Sequence, residues 1–278
     1  MDGLRRTVLL AAVVVIGLAT AYAGKQVDES HTLTDDVESR VKRDHDDAPD
    51  ICKDATIDAI TTTENGPVYI FKDRWYWRVD QYRRGVHRGF PRKIEIDWSG
   101  ELPNKLDAAL YAKYTRNTYF FKGSDVYKYY NQVLVIGYPQ KISIEFPGVP
   151  SNIDGAYVGI DNCFYFIKGD SYYKYCYRQA ESAKQLVSKY KGQPVQIDAA
   201  FNFWELRPEN TVLYFFKGAQ YYKINETTNA VADGYPRSTS TFWFRCDPNT
   251  GRPGSSASKN PKKNLSEIKS KLVNFLKI

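Results

Sequence analysis

Asp107-Ala108-Ala109-Leu110-Tyr111-Ala112, then Tyr119-Phe120-Phe121-Lys122-Gly123-Ser124-Asp125-Val126-Tyr127-Lys128-Tyr129-Tyr130, then Gly137-Tyr138-Pro139: this stretch is one copy of a phrase that the chain repeats. The Asp returns as Asp58, Asp154 and Asp198, at spacings of 49, 47 and 44 residues. The hairpin turn returns as Phe71-Lys72-Asp73, Ile167-Lys168-Gly169 and Phe216-Lys217-Gly218, each followed by an aromatic run: Trp75-Tyr76-Trp77, Tyr172-Tyr173 and Tyr221-Tyr222. The Gly-aromatic-Pro corner returns as Gly89-Phe90-Pro91 and Gly234-Tyr235-Pro236. A repeat of this length marks stacked supersecondary units.

Each unit is β by composition. Aromatic and β-branched residues flank a Gly turn, with a short strand after the Asp and another at the Pro corner. Three or four strands per unit and four units predict an all-β chain, a single four-bladed propeller. Blades covered on both faces need large side chains on both, so the aromatic wealth reads as core, with a stacking platform for ligands as the alternative. The third unit lacks the corner. In its place Ala180 to Tyr190, with Glu181, Lys184, Gln185 and Leu186, reads as a helical insert.

These residues resemble the hemopexin repeat over about residues 50–246. Blade I, with Ile51-Cys52-Lys53-Asp54 and Trp75-Tyr76-Trp77, is most similar to the C-terminal domain of matrix metalloproteinases. There is no His-Glu-x-x-His, and the histidines are His31, His45 and His87, so no catalytic residues are expected. The blades are expected at about 54–102, 103–149, 150–193 and 194–246. The resemblance implies main-chain oxygens of the repeated Asp, and of the residue two further on, around a central channel. These are Asp58 and Ile60, Asp107 and Ala109, Asp154 and Ala156, and Asp198 and Ala200. A cage of neutral oxygens suits calcium or sodium, with chloride as a further candidate. The alternative role for each Asp is to bond backbone amides at the blade junction. Haem is a less favoured ligand, because residues 44–278 hold two histidines, His45 and His87.

Outside the repeats, Arg5-Arg6 and an apolar run ending in Ala21-Tyr22-Ala23 read as a secretory signal over 1–23, with an uncleaved anchor as the alternative. Residues 24–43 read as a propeptide ending in Arg40-Val41-Lys42-Arg43, a furin-like site on Arg40, Lys42 and Arg43. Export suits disulfides. Cys52 and Cys246 stand at the two ends of the ring, where a bond would close it, and the resemblance implies that bond. With a turn at Gly169-Asp170, Cys163 falls opposite Cys176, which favours a cross-strand bond over two free thiols. The sequons at Asn225 and Asn264 are candidate glycosylation sites. Asn264 also reads as a helix cap, a role that a glycan would compete with.

The net charge of +7 is concentrated in the tail: residues 1–43 are neutral, 252–278 carry +6, and the body is left at +1. Residues 247–263 read as a linker, and 264–278 as a basic amphipathic helix with Leu265, Ile268, Leu272, Phe275 and Leu276 on one face. That helix either docks, or carries Lys259, Lys262, Lys263, Lys269, Lys271 and Lys277 to heparin-like polysaccharide or an anionic membrane. Nucleic acid is not an expected partner. The leading reading is a secreted, non-enzymatic protein that binds extracellular proteins or matrix. Haem carriage and regulation of metalloproteinases are the alternatives.

Overall fold

The computed structural model describes residues 47–64, 66–80, 85–100, 102–204 and 211–254. The signal and propeptide segments, Arg40, Lys42, Arg43, His45, the basic tail lysines, Asn264 and the C-terminal helix lie outside them.

Four sheets follow the four repeats. Blade I runs β1 (Ala59–Thr62), β2 (Val68–Lys72), β3 (Trp75–Val79) and β4 (Arg92–Lys93). Blade II runs β5 (Ala108–Ala112), β6 (Asn117–Lys122), β7 (Asp125–Tyr130), β8 (Val133–Leu134) and β9 (Gln140–Lys141). Blade III runs β10 (Gly155–Val158), β11 (Phe164–Lys168), β12 (Ser171–Cys176), β13 (Gln179–Ala180) and β14 (Lys184–Gln185). Blade IV runs β15 (Ala199–Trp204), β16 (Thr211–Lys217), β17 (Gln220–Asn225), β18 (Ala230–Val231) and β19 (Arg237–Ser238). All neighbours are antiparallel, and the registers pivot on the predicted turns, as in Lys122↔Asp125 and Lys168↔Ser171. The first strands β1, β5, β10 and β15 touch in sequence and β15 returns to β1, so they form the inner wall of a closed ring. This is a four-bladed β-propeller.

A short helix ends each blade: α1 (Ile94–Asp97), α2 (Ile142–Glu145), α3 (Leu186–Lys189) and α4 (Thr239–Trp243). Its first residue, Ile94, Ile142, Leu186 or Thr239, is fully buried. Four residues later comes a buried aromatic, Trp98, Phe146, Tyr190 or Trp243. In blades I to III that ring is a wedge between its own blade and the next. Trp98 lies 5.6 Å from Phe71 and 5.0 Å from Phe120. Phe146 lies 6.0 Å from Phe121 and 5.0 Å from Phe166. Tyr190 lies 5.7 Å from Phe215. In blade IV Trp243 packs on its own blade, 5.8 Å from Phe216, and the following Phe244 reaches Trp77 of blade I at 6.1 Å. Burying each such ring stabilises the ring of blades by about 1.5–3 kcal/mol.

Two expectations are corrected. Ala180 to Tyr190 is no insert. Lys184-Gln185 pairs with Ser171-Tyr172, Glu181 is not helical, and only Leu186–Lys189 forms the helix that every blade carries. Helix propensity of Glu, Lys and Gln is a weak preference, and the ladder to β12 outweighs it. The segment read as a linker from 247 is held as far as Gly254. Asp247 N–H donates to Arg252 O (3.0 Å), Gly254 N–H to Phe244 O (3.0 Å), and Val86 N–H of blade I to Gly254 O (2.8 Å). A clasp of backbone therefore joins blade IV to blade I. Gly85, at φ +99°, makes the approach possible, since a Cβ there would lie 2.1 Å from Gly254 O.

Candidate functional site: the central channel and the blade rims

The repeated Asp stands immediately before each first strand, and its main chain and side chain do different things. Its N–H donates to the second strand: Asp58 to Phe71 O, Asp107 to Phe121 O, Asp154 to Ile167 O and Asp198 to Phe216 O, at 2.7–2.9 Å. Its carboxylate accepts the N–H of the hairpin turn from Asp73, Gly123, Gly169 or Gly218, at 2.5–2.6 Å. The side chain thus fastens the turn of its own blade rather than reaching for the axis. The turn lysine completes the lock in blades II and IV, where Lys122 meets Asp107 at 2.7 Å and Lys217 meets Asp198 at 2.9 Å. In blade I Lys72 pairs with Asp54 at 2.9 Å, and in blade III Lys168 donates to the carbonyls of Ser151 and Asn152. Burial raises the Asp58 carboxyl, against the bond from Asp73 N–H. The hydrogen bond from Thr56, with Lys72, holds Asp54 at about 2.

The main chain of the first strands faces the channel. Each first strand has one sheet neighbour, so alternate residues turn their N–H and C=O away from it. Gly159 N–H bonds to Cys163 O, which puts Gly159 on the side of the second strand. Val158 faces the other way, and its N–H donates to Asn202 Oδ1 of blade IV at 2.9 Å. Ala156, two residues earlier, shares that orientation. Thr62 O, four residues after Asp58, is likewise taken by Thr118 Oγ1 of blade II at 3.1 Å. Side chains therefore occupy the free edges at the level of Thr62 and Val158. Among the described residues none reaches those of Ile60, Ala109, Ala156 and Ala200, where three side chains are Ala. A cavity of about 10 Å³ between three of the first strands is bordered by Ala109 to Tyr111, Ala156 to Val158, Phe201 and Asn202, and has room for about one water-sized body. Asn202, 8% exposed, leaves its Nδ2 without a partner there. Main-chain oxygens of Ala109 and Ala156 are the groups there that could hold a hard cation, whereas the Asn202 Nδ2 donor suits an acceptor such as a water oxygen. No group of three or more His, Cys, Asp or Glu side chains gathers among the described residues.

The cysteines pair as Cys52–Cys246, across the ring closure, and Cys163–Cys176, across the β11–β12 hairpin, with Cα–Cα distances of 5.7 and 5.1 Å. Asn225 is the exposed last residue of β17, and its Oδ1 accepts the N–H groups of Thr227 and Thr228. Its neighbour Glu226 turns inward and accepts a hydrogen bond from Tyr190 (3.3 Å), and burial raises its carboxyl. His87, half-buried on the rim of blade I, is lowered by burial and then by Arg78. Lys168-Gly169-Asp170 is a hairpin turn equivalent to the other three.

The aromatic wedges, the Gly85–Gly254 clasp and the Asn202 bridge were not apparent from the repeats. The wedges had a visible signal: in blades I to III an aromatic stands four residues after the apolar residue that starts the helix, and in blade IV Thr239 takes the apolar residue's place.

The Hemopexin family model matches residues 57–100, 106–151 and 197–246. The chain is 32% identical over 209 residues to interstitial collagenase of Equus caballus, covering 72% of this chain and 42% of that protein. It is 32% identical over 247 residues to matrix metalloproteinase-19 of Mus musculus, covering 87% and 44%. Vitronectin of Homo sapiens is 32% identical over 148 residues, covering 49% and 29%. The chain thus spans less than half the length of these relatives. Among solved structures, the hemopexin fold protein of cow pea superposes with a TM-score of 0.55 at 19% identity, covering 67% of this chain and 95% of that one. A plant albumin of Cicer arietinum gives 0.57 at 19%, covering 68% and 95%. These likenesses show the fold. With three repeats matched by the family model and the third closing the same ring, this chain belongs to the hemopexin family.

Proposed function

We propose that this protein is a secreted, non-enzymatic binding module that presents its propeller to extracellular proteins or matrix. The observation that carries the reading is the closed ring itself. Four blades, one bridge across the only chain break and a second within blade III make a rigid surface. A rigid surface binds with little ordering cost. Two disulfides favour an oxidising compartment, and so does the apolar leader ending at Ala23. The matched collagenase and vitronectin support the reading by kinship of the module.

Three finer assignments belong to the same reading. The channel holds calcium or sodium on main-chain oxygens of the Asp58, Asp107, Asp154 and Asp198 segments, where it supplies a central positive charge that cross-links the blades. Asn225 carries a glycan on the rim of blade IV. The basic tail adds attachment to heparin-like polysaccharide or anionic membrane. Solid-phase binding to matrix proteins and to heparin tests the reading, comparing the secreted chain with one truncated after Gly254. Protein binding is expected in both and heparin binding in the longer one. Absence of binding by either overturns it.

A further inference from the structure

We propose that one water molecule is bound beside Asn202, in the cavity between the first strands of blades II, III and IV. It accepts a hydrogen bond from Asn202 Nδ2 and donates to main-chain carbonyls of the facing strands. The inference rests on the channel assignment made above and refines it: a channel cation is confined to the level of Asp58, Asp107, Asp154 and Asp198, away from Asn202.

Asn202 stands four residues after Asp198, where the other blades carry Thr62, Tyr111 and Val158, so blade IV alone brings a carboxamide to this level. Its partner fixes which way the carboxamide faces. Val158 N–H can only donate, so the atom that it meets at 2.9 Å is the side-chain oxygen. The Nδ2 group, with two N–H donors, is thereby turned away from Val158 and toward the cavity that Asn202 borders. Asn202 is 8% exposed, and its buried Nδ2 has no hydrogen-bond partner among the described residues. A buried donor without an acceptor is costly, so a ligand that accepts there stabilises the fold.

The walls decide which acceptor it is. Ala109 and Ala156 border the cavity with main-chain groups turned away from their own sheets. The two tyrosine hydroxyls of the lining residues are engaged elsewhere, that of Tyr157 with Tyr190 at 3.1 Å and that of Tyr111 with Glu64. Among the described residues no Asp, Glu, Lys, Arg or His borders the cavity, so an ion finds no counter-charge. A cation would face the Nδ2 donor, and an anion would face carbonyl oxygens. Water accepts with its lone pairs and donates with two hydrogens, so it satisfies both walls. The volume of about 10 Å³ is the space that one water needs, and an amide with two carbonyls gives it the usual number of partners. With the Asn202–Val158 bond, that water joins blades II, III and IV around one side chain.

The test uses crystals of the full secreted chain in calcium chloride, measured at a long wavelength where calcium and chloride scatter anomalously and water does not. The expected result is a single peak without anomalous signal, within about 3 Å of Asn202 Nδ2 and of a carbonyl of Ala109 or Ala156. An anomalous peak at that place, contacts to the carbonyls of about 2.4 Å as for a cation, or no density at all overturns the proposal. A second measurement is made in solution. Asn202→Asp keeps an oxygen for Val158 N–H and turns the donor into an acceptor, so the walls then suit calcium. Saturating calcium should raise the melting temperature of this variant by at least about 5 °C more than that of the wild type. An equal response in both proteins overturns the placement of Nδ2 in the cavity, and the proposal with it. The crystals also separate this inference from the channel assignment. Calcium at the level of the repeated Asp with water at Asn202 upholds both. Water at Asn202 with no ion at the Asp level upholds the water and ends the cation assignment alone.

Discussion

Removing the bridge at the ring closure, by Cys52→Ser/Cys246→Ser, should cost more than any other small change at the chain ends. The bridge closes a loop of 194 residues. On the chain-entropy model that loop corresponds to about 5 kcal/mol at room temperature. For a domain of this size, 1 kcal/mol moves the melting temperature by about 2–4 °C, so a fall of about 10–20 °C is expected. Two truncations set the scale. Ending the chain after Asp247 deletes the Gly254–Val86 clasp, whose hydrogen bond is worth about 1 kcal/mol, with further loss from the exposed Val86 amide. A fall of about 3–6 °C follows. Ending it after Gly254 removes none of the described contacts and should leave the melting temperature within about 1 °C. The assay is thermal unfolding followed by circular dichroism and calorimetry, without reductant. If the double serine variant melts with the Gly254 truncation, the bridge does not hold the ring and the entropy argument is wrong. If the Asp247 and Gly254 truncations melt together, the clasp contributes nothing.

Gly85→Ala places a Cβ against Gly254 O at a positive φ, and should cost about 2 kcal/mol in chemical denaturation; the cost should shrink to that of the φ alone when the chain ends after Asp247, and full additivity would show that the two glycines do not meet. Trp98→Ala removes the wedge between blades I and II and should cost about 3–5 kcal/mol by the same measurement, whereas a cost near 1 kcal/mol would show that the ring is not shared by both blades. Glu226 is raised above its ordinary value of 4.5 by burial, so the folded state resists its ionisation and stability falls as pH rises through and above that value. Glu226→Gln, which keeps the sequon, should therefore be more stable than the wild type at pH 7, with the gain fading below pH 4.5; a loss at pH 7 would mean that the bond from Tyr190 and the nearby Lys189 outweigh the burial.

The blades were legible because their signals are local and repeated. The Asp, the turn lysine and the aromatic run recur in one order, and a hairpin's register follows from its turn, which is why Cys163 could be placed opposite Cys176. Contacts between blades carry no such period. Nothing near Gly254 marks Val86 as its partner, about 170 residues away in the chain. Glu181, Lys184 and Gln185 favour helices as residues, and only the ladder from Ser171-Tyr172 shows why two of them pair as strand instead. The channel was half legible. Repetition placed the Asp segments around the axis, but the carboxylates face the turns, and the levels that leave main-chain groups free follow from the bonds of Val158 and Thr62. Asn202 breaks the repeat, standing where the other blades have Thr62, Tyr111 and Val158, so periodicity gave no reason to single it out.

The central claim is that the folded propeller is the binding element. Its most direct test is equilibrium binding of the mature chain to a panel of immobilised extracellular matrix proteins at physiological salt, side by side with Cys52→Ser/Cys246→Ser above that variant's melting temperature and below that of the wild type. The account predicts saturable binding of at least one matrix protein by the wild type, retained after truncation at Gly254 and lost with the ring. Binding that is equal for the folded and the opened ring, or absent throughout the panel, would contradict it.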